Sequence, residues 1–213
     1  MSLKRNLDDI VYETICFGFV SGAYVSGKRL DPSELAERYQ VSKTPVIQAL
    51  KRMVHEHIVE ITSGGKYFIP VADKEEVESV CGARLLFEEH ALVTLCDTIT
   101  EDQLVILEHI EKNSRAYFEA GDYNQYFTED MKFHKKLVEF SGNACLTDLY
   151  NVLLNRYMVI RTTTGMALVH DKIASNEHLL MIKALKDHSK KDVRRLVRNH
   201  IGKMEERLNE KVE

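Results

Sequence analysis

Asp130 and His134 stand four residues apart in the run DMKFHKKLVEF. That spacing stacks two side chains on one face of a helix and suits two ligands of a single metal ion. His178 and His200 fall on two later helical segments. Taken singly, each histidine reads as an ordinary core or surface residue. As a set, three imidazoles and one carboxylate make a nitrogen and oxygen site for a divalent transition metal such as Zn, Ni, Mn or Fe, with open positions where the ion prefers more than four ligands.

A second chemistry is written in DPSELAERYQVSKTPVIQALKRMVHEH, residues 31–57. Asp31, Pro32 and Glu34 read as an N-cap, a first-turn proline and a capping-box acid, with Leu35, Ala36 and Tyr39 as a short apolar face. Val41 interrupts this pattern. Ser42 then opens a second helix whose first turn tolerates Pro45 and whose apolar positions Val46, Leu50, Met53 and Val54 recur at helical spacing. Two helices across a tight turn allow the second to lie in the major groove of DNA while the first braces it. From Ser42 to Arg52 the only charged residues are Lys43, Lys51 and Arg52, all positive, so phosphates can approach without meeting a carboxylate of that stretch. The formal net charge of −4 makes this basic character local.

The scaffold that holds these residues divides into two parts. A first helix carries Ile10, Thr14, Phe17 and Gly18, flanked by Val11 and Ile15, and ends near Ser21 and Gly22. After the helix pair, residues 58–61 and 67–69 are β-prone runs around Thr62-Ser63-Gly64-Gly65-Lys66, a hairpin with a glycine turn that presents Lys66 as a wing. Pro70 closes this part, giving residues 1–70 as a winged helix-turn-helix unit. From residue 74 every segment reads helical: 75–96, 101–120, 123–140, 146–162, 172–186 and 190–211, an all-α antiparallel bundle over 74–213. Thr100 with Gln103, Asp122 with Gln125 and Ser189 with Asp192 are cap and N3 pairs. Only 3 Pro and 10 Gly in 213 residues agree with a mostly α fold. The basic cluster Lys190, Lys191, Arg194, Arg195 and Arg198 reads as a solvated helix face.

Cysteines 16, 81, 96 and 145 form no C-x-x-C pair and read as reduced thiols. With no secretory signal and no run long enough to span a bilayer, the expected location is the cytoplasm.

LAERYQVSKTPVIQALKRM resembles the helix-turn-helix signature of the GntR family of bacterial transcription regulators. Leu35, Ala36, Val41, Ser42, Thr44, Pro45, Val46, Ala49 and Leu50 fit it, whereas Lys43, Ile47 and Gln48 stand where the family usually has Arg, Arg and Glu. Lys43 keeps the charge without the bidentate fork that reads guanine, and Ile47 offers only apolar contact. Together, the helix pair, its local charge, the hairpin and this resemblance make Ser42, Lys43, Thr44, Gln48, Lys51, Arg52 and Lys66 the expected DNA contacts. YETICFGFVSGAYVSGKRL is similar to the family's first helix and turn, and His57 stands where the family often has glycine. DMKFHKKLVEFSGN, NEHLLMIKAL and VRNH resemble the FCD-type C-terminal domain of the FadR subfamily. That resemblance implies metal binding through Asp130, His134, His178 and His200, and leaves His55, His57, His90, His109, His170 and His188 without a ligand role. Arg84 and Glu88 resemble the R-x-x-x-E entry to that domain. There Arg84 either clamps the carboxylate of a small organic-acid effector or forms an ordinary ion pair with Glu88.

Two function classes follow. One is a homodimeric, ligand-responsive regulator, a repressor, acting on a pseudo-palindromic operator. The other is a metal-dependent enzyme with an accessory DNA-binding-like domain. The first is favoured, because no unassigned carboxylate stands out beside the ligands to serve as acid or base.

Overall fold

A computed structural model describes residues 6–165 and 172–212, so His170 lies outside the described residues. The elements run α1 (Leu7–Val20), β1 (Arg29–Leu30), α2 (Pro32–Arg38), α3 (Lys43–His55), β2 (Glu60–Ile61), β3 (Tyr67–Phe68), α4 (Lys74–Thr98), α5 (Glu101–Glu119), α6 (Tyr123–Phe140), α7 (Ala144–Thr163), α8 (Lys172–Lys186) and α9 (Lys190–Asn209). The chain is mostly α-helical, with one small antiparallel sheet in the order β1-β3-β2.

Local chemistry sets the short elements. Asp31 caps α2 by accepting from the Ser33 amide at 2.8 Å, so the cap bond stops one residue short of the expected Glu34 partner. Ser42 occupies the N-cap of α3 with extended backbone, but its side chain makes no cap bond. The hairpin turn is closed by Thr62, whose amide donates to the Lys66 carbonyl and whose carbonyl accepts from Gly65, both at 2.9 Å. Gly65 takes φ +73°, a conformation that costs glycine little. His57 takes φ +59°, at the position where the resemblance places glycine. Strand β1 was not legible as a strand, because two residues carry no alternation.

The apolar face of α1 differs from the expected one. Val11, Ile15 and Phe19 are buried, while Ile10 and Phe17 are 44% and 58% exposed. The stripe facing α3 is therefore 11, 15, 18 and 19, one residue further round the helix than the sequence suggests. Gly18 belongs to that stripe because Tyr24 packs over it.

In the helical half, turns of three residues join α5 to α6, α6 to α7 and α8 to α9, and each of these pairs packs together. Thr100 and Gln103 form a reciprocal capping box, and Asp122, Asn143 and Ser189 cap α6, α7 and α9. The basic cluster of α9 is laced to acids: Lys190 to Asp97, Arg194 and Arg198 to Glu89, and Arg195 to Asp192. All four cysteines are free thiols; Cys81 and Cys96 are buried and Cys145 is exposed.

Two large apolar cores result, with a smaller cluster of Ala91, Val138, Tyr150 and Leu154 where α4, α6 and α7 meet. One is built from α4, α5, α6, α8 and α9, with Tyr157 and Ile160 of α7. The other joins α1, α2, α3 and the sheet, and it also takes in Met158 and Val159 of α7. One helix is thus shared between the two cores.

Two glycine substitutions test this packing with opposite signs. A Cβ at Gly18 would lie 2.2 Å from Cε2 of Tyr24, whereas one at Gly82, in the middle of α4, meets nothing within 4 Å. In urea denaturation Gly18→Ala is expected to destabilise by about 1–3 kcal/mol, and Gly82→Ala to stabilise by about 0.5–1 kcal/mol.

Candidate functional site

Helix α6 carries Asp130 and His134 on one buried face, α8 brings His178 and α9 brings His200. One ligating nitrogen from each histidine lies within 4.8 Å of the other two. Nε2 of His134 and Nε2 of His200 are 3.2 Å apart. Phe133 stacks on the His178 ring at 4.3 Å between centroids, which fixes its plane. Asp130 is not within the same mutual distance of all three, and its Oδ1 stands 3.8 Å from Nε2 of His178.

Behind each imidazole stands a carboxylate. Nδ1–H of His134 donates to Oε2 of Glu88 at 2.7 Å, that of His178 to Oε2 of Glu111 at 3.2 Å, and that of His200 to Oε2 of Glu177 at 2.9 Å. Since an ionised carboxylate can only accept, the Nδ1 nitrogens hold the protons and the Nε2 nitrogens present bare lone pairs. Burial pushes His134 down to about 4 and His200 below its ordinary value, so the neutral form is favoured in both. Burial would raise the Glu88 carboxyl, but Arg84, with His134 and Tyr150, outweighs it and holds Glu88 far below the usual carboxylate range. Asp130 shows the same contest, with the imidazoles and Arg161 holding it ionised against burial.

These groups fit a metal. Nε2 of His178 is buried with no hydrogen-bond partner, and two lone pairs at 3.2 Å repel each other unless a proton or a cation lies between them. Nitrogens sharing one first-row ion are about 3–3.4 Å apart. Carboxylate-backed imidazoles around a shared point are the usual surroundings of such an ion.

Arg84 takes the ion-pair alternative. Its side chain is fully buried, Nε donates to Oε1 of Glu88 at 2.9 Å, Nη2 lies 2.8 Å from the same oxygen, and the guanidinium sits 4.2 Å from the Tyr157 ring centre. In this arrangement its hydrogen-bonded route to the histidines runs through Glu88. The arginine whose charge acts on Asp130 is Arg161, held 3.9 Å over the Phe127 ring. Its signal was present in the sequence: Tyr150, Leu154, Tyr157 and Arg161 form one stripe of α7 that ends in a charge. The carboxylates of Glu111 and Glu177 gave no such signal, and they overturn the expectation that no unassigned acid lies near the ligands. Glu88, Glu111 and Glu177 are each bonded to an Nδ1 and so orient the imidazoles.

On the other half, Ser42, Lys43, Thr44, Gln48, Lys51 and Lys66 are exposed, and Thr44, Gln48 and Lys51 recur at helical spacing along one face of α3. Arg52 is exposed as well, but it is engaged within the protein. Nε donates to Oε1 of Glu56 at 2.9 Å, Nη1 to Oδ1 of Asp9 at 3.3 Å, and the guanidinium covers Tyr12 at 3.9 Å. The carboxylate-free surroundings read from residues 42–52 therefore do not extend to Arg52, because α1 delivers Asp9 beside it. Among the described residues no helix is long and apolar enough to cross a membrane.

Residues 7–69 match the family model described as bacterial regulatory proteins, gntR family, and residues 79–203 match the FCD domain. The chain is similar to an uncharacterised HTH-type transcriptional regulator, YdhC, of Bacillus subtilis, 25% identical over 61% of this chain and 58% of the relative. It is also similar to the HTH-type transcriptional repressor NanR of an Enterobacter species, 23% identical over 93% of this chain and 84% of the relative. Among solved structures, E. coli McbR/YncC superposes with a TM-score of 0.85 at 21% identity, covering 97% of this chain and 98% of that one, which shows a shared fold. The winged reading head, the helical bundle behind it and these matches make the chain a transcriptional regulator, not an enzyme, and a member of the GntR family with an FCD-type C-terminal domain.

Proposed function

We propose that this chain works as a dimeric repressor in which residues 1–70 read DNA and residues 74–213 form a sensor that holds a divalent transition metal. His134, His178 and His200 would hold the ion, with Asp130 as the fourth ligand. The observation that carries this reading is the set of three Nδ1–carboxylate bonds, which turns three buried Nε2 lone pairs toward one another. When bound, the ion supplies a Lewis-acidic position at which a small carboxylate effector can replace water.

This chain's own residues do the rest. Glu88, Glu111 and Glu177 hold the imidazole tautomers and planes. Arg84 neutralises Glu88 and keeps it in place, and Lys203 does the same for Glu177 at 2.7 Å. Arg161 places positive charge beside Asp130, where the carboxylate of an organic acid would approach. On the DNA side, Lys43, Lys51 and Lys66 supply phosphate contacts, while Ser42, Thr44 and Gln48 present polar groups to the groove. Two such heads related by a two-fold axis would read a pseudo-palindrome. Repression agrees with the role that the NanR relative's name gives it.

Metal analysis of the purified protein is expected to find one ion per chain. Glu111→Gln should weaken its affinity by roughly 10- to 100-fold, the cost of losing an outer carboxylate partner. His178→Ala should weaken it further still. Full metal content in His178→Ala would sink the assignment.

The stability of the metal-free protein should depend on pH in a definite direction. His134 titrates near 4 when folded against an ordinary 6.5, so between these values the unfolded chain binds a proton that the folded chain does not. Stability from this group is complete above about 6.5 and falls as pH is lowered toward about 4, by up to roughly 3 kcal/mol. Thermal melts across that window should show the slope, and His134→Gln should flatten it.

For the reading head, fluorescence anisotropy with promoter DNA across a salt series is decisive. Lys43→Ala and Lys51→Ala should each weaken binding and reduce the salt slope by about 1. An unchanged slope in the double variant would remove these lysines from the phosphate contacts.

A further inference from the structure

Helices α6 and α7 both contact α1 of the reading head, and α7 also bonds a support of the histidine cluster. On its bundle side, Tyr150 donates its hydroxyl to Oε1 of Glu88 at 2.6 Å, and the other oxygen of that carboxylate accepts from Nδ1 of His134 at 2.7 Å. On its other side, Met158 and Val159 enter the core of the DNA-reading half. Asn155 donates from Nδ2 to Oε2 of Glu56 at 3.2 Å. Near its C-terminal end, Oγ1 of Thr163 shares a 2.6 Å hydrogen bond with Ser26 and accepts from the Ala72 amide at 3.2 Å.

Glu56 is the C-cap of the recognition helix α3, and it is a hub. Besides Asn155 it accepts from the hydroxyl of Tyr12 and from Nε of Arg52. Arg52, a candidate DNA contact, is thus tied to the same carboxylate that α7 grips. Tyr150 and Asn155 are five residues apart, about 7.5 Å along one helix. An α-helix transmits displacement over such a distance with little give, since its backbone bonds are internally satisfied.

We propose that the Asn155–Glu56 contact is the joint through which the histidine cluster controls Arg52 and the end of the recognition helix, with Tyr150 and Glu88 as its input. The inference rests on reading that cluster as the regulatory site, and it adds the route and the residues. Glu88 can serve as input because it has one oxygen on His134 and the other on Tyr150, so a change in how His134 is held is also a change in how α7 is held. At the output, Glu56 has two oxygens and three donors. Moving Asn155 alters how firmly Glu56 retains Arg52, and with it the charge available to a phosphate. A route of this kind transmits only the difference between two arrangements, so each residue on it modulates the coupling without contacting metal or DNA.

The test is a double-mutant cycle on the full-length, metal-free protein, with Tyr150→Phe, Asn155→Ala and the pair. It is read by amide hydrogen exchange over residues 52–59 and by affinity for promoter DNA. Tyr150→Phe is expected to change exchange and affinity by roughly 2- to 30-fold, the span found for residues along such networks. In the Asn155→Ala background the same substitution should change neither. Asn155→Leu, which keeps the size of the side chain and removes its donor to Glu56, should reproduce the loss of coupling if Asn155→Ala folds poorly. A Tyr150→Phe effect of equal size with and without Asn155, or no effect on residues 52–59 at all, would overturn the joint. Zinc titration of the same proteins reads the metal assignment separately: wild type and Asn155→Ala should bind zinc equally. Failure of both to bind it would reject the metal, while the cycle would still decide for or against the joint.

Discussion

Three imidazoles whose Nε2 nitrogens face one another inside an apolar bundle are a severe physical constraint. A buried nitrogen without a partner is costly, and here Nε2 of His178 has none while those of His134 and His200 have only each other. The structure meets half of the demand by giving each Nδ1 a carboxylate, and the convergence of the Nε2 lone pairs leaves a cation as the chemical complement. Those carboxylates are themselves buried charges, so they need counterions or donors. Arg84 and Tyr150 serve Glu88, while Lys203 and Asn199 serve Glu177. The six groups of the three pairs come from α4, α5, α6, α8 and α9, so the site exists only when those five helices are packed in register.

This dependence explains why the bundle carries so many charges at its centre. A single ionised side chain there would be expelled or neutralised, but a network in which every member has a partner can be held. It also explains the burial of Arg84. Its guanidinium lies against the Tyr157 ring, with Nε donating to Glu88 and Nη1 to the Met204 sulfur, which makes it a support for the carboxylate behind His134. The pair reading and the clamp reading of Arg84 and Glu88 are identical in sequence, and only the direction of the side chain separates them.

The reading head is governed by a different balance. The chain as a whole is negative, and the binding face is basic only because acids are absent from the first turns of α3. Where acids do approach, at Asp9 and Glu56, they take hold of Arg52. The boundary between the face of α3 left free of carboxylates and the face engaged with the protein therefore runs between Lys51 and Arg52, adjacent residues that a helix turns about 100° apart. Helix α7 meets the head on the engaged side, where Asn155 donates to Glu56.

Whatever depends on local periodicity and capping was already legible in the order of the residues. The helix pair around Val41, the long helices from residue 74, the capping box at Thr100 and the placing of Asp130 and His134 on one face all follow from spacings of three and four residues. The short runs of residues between them fix helix ends but not which side of a helix turns inward, which is why α1 buries Val11 and Ile15 and leaves Ile10 and Phe17 in water. Which acids stand behind the histidines was settled by packing alone, since Glu88, Glu111 and Glu177 lie 46, 67 and 23 residues from the imidazoles they orient. The same holds for Arg52 and Asp9, 43 residues apart, and for Asn155 and Glu56, 99 residues apart. Hydrogen bonds across such separations are set by how whole helices pack, and a single sequence records helix faces without recording which faces meet.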